Sequence, residues 1–331
     1  MRKANIGKRI VLGVAILLTG LGSATASASG GTAYATSDMN TALASVVHGD
    51  VAQSTTLPNG NVLWVFGDTT QVNGVSTVGA YGYPHDSFVV QTAGTLNFTA
   101  VPGSYGYGWQ QVPNWSDGSY FWMSTPVVDN GVLYVFGERV QGSSSFTVVG
   151  NYVAVFNAST LAFQKMVALP NGATGTTVWG GIAKASNGWW ITGTHGVSCS
   201  YATDCKVGDM AFVPFGGLAT TSKWKVYNNV VPAATNIGTT LGLVQTSSGW
   251  DIFTKLGDAY GGVQVERLSA IAPTGTWSVT GAWSAPSPTG TVTYGAAVHP
   301  EQGAAAGQLV VTYDVNGDDA DYHPLFLYLP L

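Results

Sequence analysis

The chain has 331 residues, only 9% of them charged, with 44 Gly, two Cys and a formal net charge of −5. An acidic chain repels phosphate backbones, which excludes nucleic acid as a partner. The length is ample for a large buried core.

Residues 1–28 read as a secretory signal peptide. Arg2, Lys3, Lys8 and Arg9 form a basic start, Ile10 to Leu21 a short apolar run, and Ala26-Ser27-Ala28 a small-residue cleavage site. The run is short for a membrane span, and no second run of spanning length follows. Removing the leader leaves 8 Lys+Arg against 17 Asp+Glu, a net charge of −9. The mature chain is expected to be secreted, monomeric and free of the membrane, with no cofactor and no bound metal.

From residue 50 onward one unit recurs: an apolar segment, a polar turn ending in Gly, and a second apolar segment. STTLPNGNVLWVFGD, TPVVDNGVLYVFGER, IAKASNGWWITGTHG, LVQTSSGWDIFTKLG and HPEQGAAAGQLVVTYD place their turn glycines at Gly60, Gly131, Gly188, Gly249 and Gly307. A period of about sixty residues with a hairpin in every unit indicates a repeat architecture. Each unit has room for four short strands, and four antiparallel strands repeated radially make a β-propeller. The expectation is an all-β, five-bladed β-propeller with four-stranded antiparallel blades, one domain over residues 29–331. A two-sheet sandwich would not account for the spacing. The fifth unit is short of strands, and residues 32–46 are expected to supply the missing one. No amphipathic helix is expected.

The first unit carries the chemistry. Its inner strand runs from about Asp50 to Leu57 and its second from Val62 to Asp68, around the turn at Gly60. Antiparallel pairing returns Asp50 and Asp68 to the same end. Two carboxylates at close range push one pKa up, which is the asymmetry that glycoside hydrolysis requires. Spacing alone leaves cation binding and plain turn capping open as well. Trp122 and Trp179 stand at equivalent inner-strand positions, and Tyr294 opens the inner strand of the fifth unit. At a channel mouth they would offer apolar faces to a sugar ring; otherwise they fill the core. His85-Asp86, in YPHDSFVVQ, would return to the same rim to orient Asp68, touch substrate or form a turn. His299 is expected as a further polar contact. Glu138 and Glu266 rank below Asp50 as the partner acid.

Cys199 and Cys205 are expected to close a short loop as a disulfide, given the oxidising setting that export implies. DVNGDDAD matches a calcium loop only in part. Asp314, Asn316 and Asp318 fit, but Asp319 replaces the glycine at the sixth position and no Glu stands at the twelfth, so it reads as a solvated turn.

In chain order, DVAQSTTLPNGNVLWVFGDT, HDSFVVQ, VLYVFGERV, TVWGGIAKASNGWWITGT, APTGTWSV, YGAAVHPE, LVVTYDVN and HPLFLYLPL cover residues 50–331. Together they resemble a family of secreted bacterial five-bladed propellers long classed as a domain of unknown function. Some of its members are endo-D-arabinanases, glycoside hydrolases that cut mycobacterial-type cell-wall arabinan. The resemblance implies an active site at the channel mouth and catalytic aspartates in the first unit, which fall on Asp50 and Asp68. It also implies Asn where this chain has Asp86, so an added carboxylate there would shift Asp68 or alter substrate choice. The expected function is a secreted glycoside hydrolase, endo-acting on a furanose-containing polysaccharide, arabinan first. A lectin-like, non-catalytic propeller is the alternative, and a calcium-stabilised structural module a third reading.

Overall fold

A computed structural model describes residues 33–78, 83–105, 108–142, 146–172, 176–198, 205–232, 237–255, 263–288, 291–303, 307–317 and 322–331. Helix α1 (Thr36–Ala44) leads into β1 (Val47–Gly49), β2 (Gln53–Thr56), β3 (Val62–Phe66), β4 (Thr69–Val72), β5 (Val75–Ser76), β6 (Ser87–Gln91) and β7 (Phe98–Val101). Strands β2-β3-β6-β7 form one sheet, and β1-β4-β5 a small separate one. Three up-and-down sheets of four strands follow. The first comprises β8 (Tyr120–Asp129), β9 (Val132–Gln141), β10 (Thr147–Asn157) and β11 (Phe163–Ala168). The second comprises β12 (Val178–Lys184), β13 (Gly188–Val197), β14 (Cys205–Pro214) and β15 (Lys225–Val231). The third comprises β16 (Leu241–Gln245), β17 (Trp250–Lys255), β18 (Gln264–Ala270) and β19 (Ser278–Ser284). Finally β20 (Val292–His299), β21 (Gln308–Asn316) and β22 (His323–Pro330) form a three-stranded sheet. The first strands β2, β8, β12, β16 and β20 neighbour one another in that order, and β20 returns to β2. This is the radial arrangement of a β-propeller.

The apolar patterning explains the stacking. Every residue of β3, VLWVF, is buried, because a central strand has another sheet on each face. Core clusters lie between consecutive sheets. Leu63, Val65 and Phe88 pack with Phe121, Leu133, Val135 and Phe156, and Phe136 and Val153 pack with Trp179, Ile191 and Val213. Each such side chain contributes about 1.5–3 kcal/mol when fully buried.

The described residues form six sheets, four of four strands and two of three. Other expectations need correction. Residues expected to supply the missing strand form α1 instead, which packs on β22. Met39 and Leu43, one helical turn apart, are its buried anchors, and Asn40 Oδ1 accepts the Phe326 N–H at 2.9 Å. With only two apolar anchors the helix carries little amphipathic signal. The inner strand of the first unit is also interrupted. Val51 and Ala52 have φ of 73° and 37°, so Asp50 stands outside β2. The leader, Cys199, Asp318 and Asp319 lie outside the described residues; Cys205 is buried on β14. Among the described residues no helix is long and apolar enough to cross a membrane.

Candidate active site

Asp50 and Asp68 come together at one end of the ring. The Asp50 N–H donates to the Asp68 carbonyl and the Gly67 N–H to the Asp50 carbonyl, both at 3.1 Å. Asp50 Oδ1 accepts the Asp68 N–H at 2.8 Å. Gly67 makes this approach possible: a Cβ there would lie 2.1 Å from Trp122 Nε1 and 2.6 Å from Asp50 Oδ1. The glycine that ends the apolar strand is therefore space for the carboxyl and the indole.

Each aspartate has its own partners. The Tyr294 hydroxyl donates to Asp50 Oδ2 at 2.8 Å, and Tyr322 donates to the same carboxyl. Asp68 Oδ1 is 2.5 Å from His85 Nδ1. The His85 ring stacks on Tyr120, centroids 3.5 Å apart and planes 15° from parallel. The Thr69 N–H bonds to the Pro84 carbonyl at 2.9 Å, which brings the YPHD segment alongside Asp68. A pocket of about 170 Å³ opens over the pair, lined by Asp50, Asp68, Thr70, Tyr83, Trp122, Phe146, Asn316, Gly317 and the two tyrosines.

Burial first, and then the charge of Asp68, pushes Asp50 from 3.8 up to about 7, against the opposing hydrogen bonds of Tyr294, Tyr322 and the Asp68 backbone. Burial, followed by the Asp50 charge, holds both tyrosines well above their usual value, so their hydroxyls stay protonated as donors. Burial alone lifts Glu138 to about 7. Glu138 pairs with Trp122 across β8 and β9 but does not line the pocket. A carboxyl that holds its proton near neutrality beside a second carboxyl held by a histidine can move a proton in each direction.

Among the other expected site residues, Trp122 and Tyr294 line the pocket, and His85 supports it from behind Asp68. Three are placed elsewhere. Trp179 is 2% exposed, with its Nε1–H on the Pro170 carbonyl at 2.8 Å and its ring against Trp224; it is core. His299 is fully buried, bonded to Ser54 Oγ at 2.5 Å and Thr312 Oγ1 at 2.8 Å. Tyr294 lies near the start of β20 and His299 at its end, so about 16 Å of strand separates them. Asp86 is fully buried and accepts the backbone N–H groups of Gln111 and Val112. It pins a loop instead of facing substrate.

Tyr322, Tyr83 and Phe146 escaped the sequence reading, because each lies in a loop or at its edge without any periodic pattern. Asp314, read as part of a solvated turn, is 3% exposed on β21 and interacts with Asp50. Among the described residues no group of three or more His, Cys, Asp or Glu has the geometry to hold a metal ion.

The family described as a domain of unknown function (DUF5005) matches residues 37–326. The chain belongs to this family. No curated protein matches it. Solved structures do, at low identity. A candidate hydrolase from Bacteroides ovatus aligns with a TM-score of 0.61 and 13% identity over 88% of each chain. A GH43_1 enzyme from Xanthomonas citri complexed with xylotriose gives 0.53 and 10%, over 89% of this chain and 93% of that one. A xylan β-1,4-xylosidase from Bacillus halodurans gives 0.54 and 8%, over 86% of this chain and 53% of that one. At such identities the likeness establishes the propeller fold; the chemistry has to be argued from the site.

Proposed function

We propose that the protein is a secreted glycoside hydrolase that cuts within a furanose-containing polysaccharide, with cell-wall D-arabinan as the substrate. The observation that carries this reading is the proton-holding Asp50, raised to about 7, beside Asp68 with its His85 partner, beneath a pocket with aromatic walls. Asp50 gives its proton to the leaving glycosidic oxygen as the C–O bond breaks. Asp68, oriented by His85, completes the displacement. It either takes a proton from the water that attacks the anomeric carbon, or attacks that carbon itself to form a glycosyl ester that water then hydrolyses, with the Asp50 carboxylate taking the water's proton. Trp122 offers an apolar face to a sugar ring. The likeness to a xylosidase and to a xylotriose-bound enzyme supports a saccharide ligand, and the family resemblance supports arabinan.

The cyclic neighbours β2, β8, β12, β16 and β20 support a ring of five blades in which α1 and the β1-β4-β5 sheet accompany the closure. The leader motif supports cleavage after Ala28 and release of a monomer with a Cys199–Cys205 disulfide. N-terminal sequencing and non-reducing mass analysis of the exported protein test both points.

The test of function is release of oligosaccharides from arabinogalactan and a panel of other polysaccharides. The mature chain is assayed beside Asp50→Asn and Asp68→Asn. Wild type is expected to release products, and each folded variant to lose about 100-fold or more. Release of nothing by wild type, with equal sugar binding by all three proteins, would establish the lectin-like alternative instead.

A further inference from the structure

Three carboxyls, not two, meet beneath the pocket. Asp314 stands opposite Tyr294 in the β20–β21 ladder. A Cβ on Gly295, whose φ is +64°, would lie 2.5 Å from Asp314 Oδ2, so the ladder is cleared of side chain at that point. Asp314 Oδ1 has no hydrogen-bond partner among the described residues, while the carboxyl accepts the Val51 N–H.

That contact falls on a strained backbone. Val51 at φ 73° and Ala52 at φ 37° are consecutive left-handed residues. A non-glycine residue in this region is uncommon, and a β-branched one is a strained outlier. Such strain persists only where the surroundings over-determine it. Here the peptide group that joins Asp50 to Val51 is gripped from both ends. Its carbonyl takes the Gly67 N–H at 3.1 Å, and its N–H goes to Asp314.

We propose that Asp314 is a positioning residue, which holds the Asp50–Val51 peptide in its left-handed path and so aims the Asp50 carboxyl into the pocket. It does this as an uncharged acid. Burial, and then the charge of Asp50, push its carboxyl well above the usual range, and an ionised group with a bare buried oxygen would be costly. The groups facing Asp50 are then Asp68, Tyr294, Tyr322 and neutral Asp314. The proposal rests on the reading of Asp50 as the proton donor.

Asp314→Asn keeps an uncharged acceptor, and Asp314→Ala removes it. The alanine variant is expected to lose about 100-fold in kcat with KM within about twofold, as for a slightly misplaced catalytic group. The asparagine variant should retain kcat within about threefold and leave the pH profile unmoved. A second readout needs no turnover: carbon-13 titration of the Asp50 carboxyl. Its midpoint should stay near the wild-type value with asparagine and move with alanine. If wild type hydrolyses nothing, the hydrolase reading fails and this titration still decides the role of Asp314. Equal damage from both substitutions would overturn the proposal, as would a folded alanine variant with full activity and an unmoved Asp50. Should Asp314→Ala fail to fold, Val51→Gly is added, since glycine accepts the left-handed φ. Recovered folding supports the tether, and a double variant that stays unfolded overturns it.

Discussion

Asp50 Oδ1 accepts the backbone N–H of Asp68 at 2.8 Å. One catalytic candidate therefore sits on the main chain of the other, and the two cannot move independently. Their charges are coupled as well, since Asp68 is the second cause, after burial, of the raised pKa of Asp50.

Stability should carry the signature of this coupling. Folded Asp50 holds its proton up to about pH 7 against an ordinary value of 3.8. The stability conferred by the neutral form is full below the unfolded value and is lost as pH rises through about 7. A difference of this size is worth at most about 4 kcal/mol. Asp50→Asn is neutral throughout, so its Tm is expected to fall less than that of wild type between pH 5 and 8. Parallel Tm curves for the two proteins would show that Asp50 ionises freely when folded.

Removing His85 should reduce turnover more than binding. It holds Asp68 from the side and stacks on Tyr120, and hydrogen bonds to charged groups are worth about 1.5–3 kcal/mol. His85→Ala is expected to lower kcat about 10- to 100-fold with little change in KM. Steady-state kinetics on a defined oligosaccharide would expose the opposite pattern, a KM effect alone.

Two tryptophans alike in the sequence should behave differently. Trp122 is half-buried at the pocket, while Trp179 is 2% exposed in the core. Trp122→Ala is expected to raise KM with a modest change in Tm. Trp179→Ala should cost about 3–5 kcal/mol, as large core truncations do. Denaturant melts and saturation curves on both variants separate these outcomes; equal stability losses would place Trp122 in the core too.

Asp86 should matter for folding rather than substrate choice. Its carboxyl accepts two backbone N–H groups, and burial pushes its pKa well above the ordinary range despite them. Asp86→Asn retains an acceptor without a group that can ionise, so it should keep activity and lose less stability than wild type as pH rises. Asp86→Ala leaves the buried Val112 N–H unmet, at about 1–3 kcal/mol, while the Gln111 N–H keeps the Asp86 main-chain carbonyl at 3.1 Å. Loss of activity in a folded Asp86→Asn protein would return this residue to the site.

The strands and the first-unit hairpin were legible because their signals are local. The unbroken apolar run Val62–Phe66 marks a strand covered on both faces. The turn at Gly60 sets a register that leads from β2 and β3 to Asp50 and Asp68. Helix α1 was not legible, because Met39 and Leu43 are too few to outweigh the polar residues around them. Trp179 and His299 were misplaced because position along an inner strand was read without the direction each side chain takes, nor the length of strand between one rim and the other.

The sequence by itself determined the antiparallel β-class, the recurring hairpins and the meeting of Asp50 with Asp68, because an antiparallel register is set by chain neighbours around one turn. Only the tertiary structure decided what surrounds that pair. Tyr294, Asp314 and Tyr322 lie more than 240 residues from Asp50 and reach it because β20 closes back onto β2. Ring closure also buries the carboxyls, and burial is what raises Asp50 and Asp314. Chain-distant packing of this kind leaves no periodic trace in the sequence, although it sets the environment that determines whether a carboxyl keeps its proton.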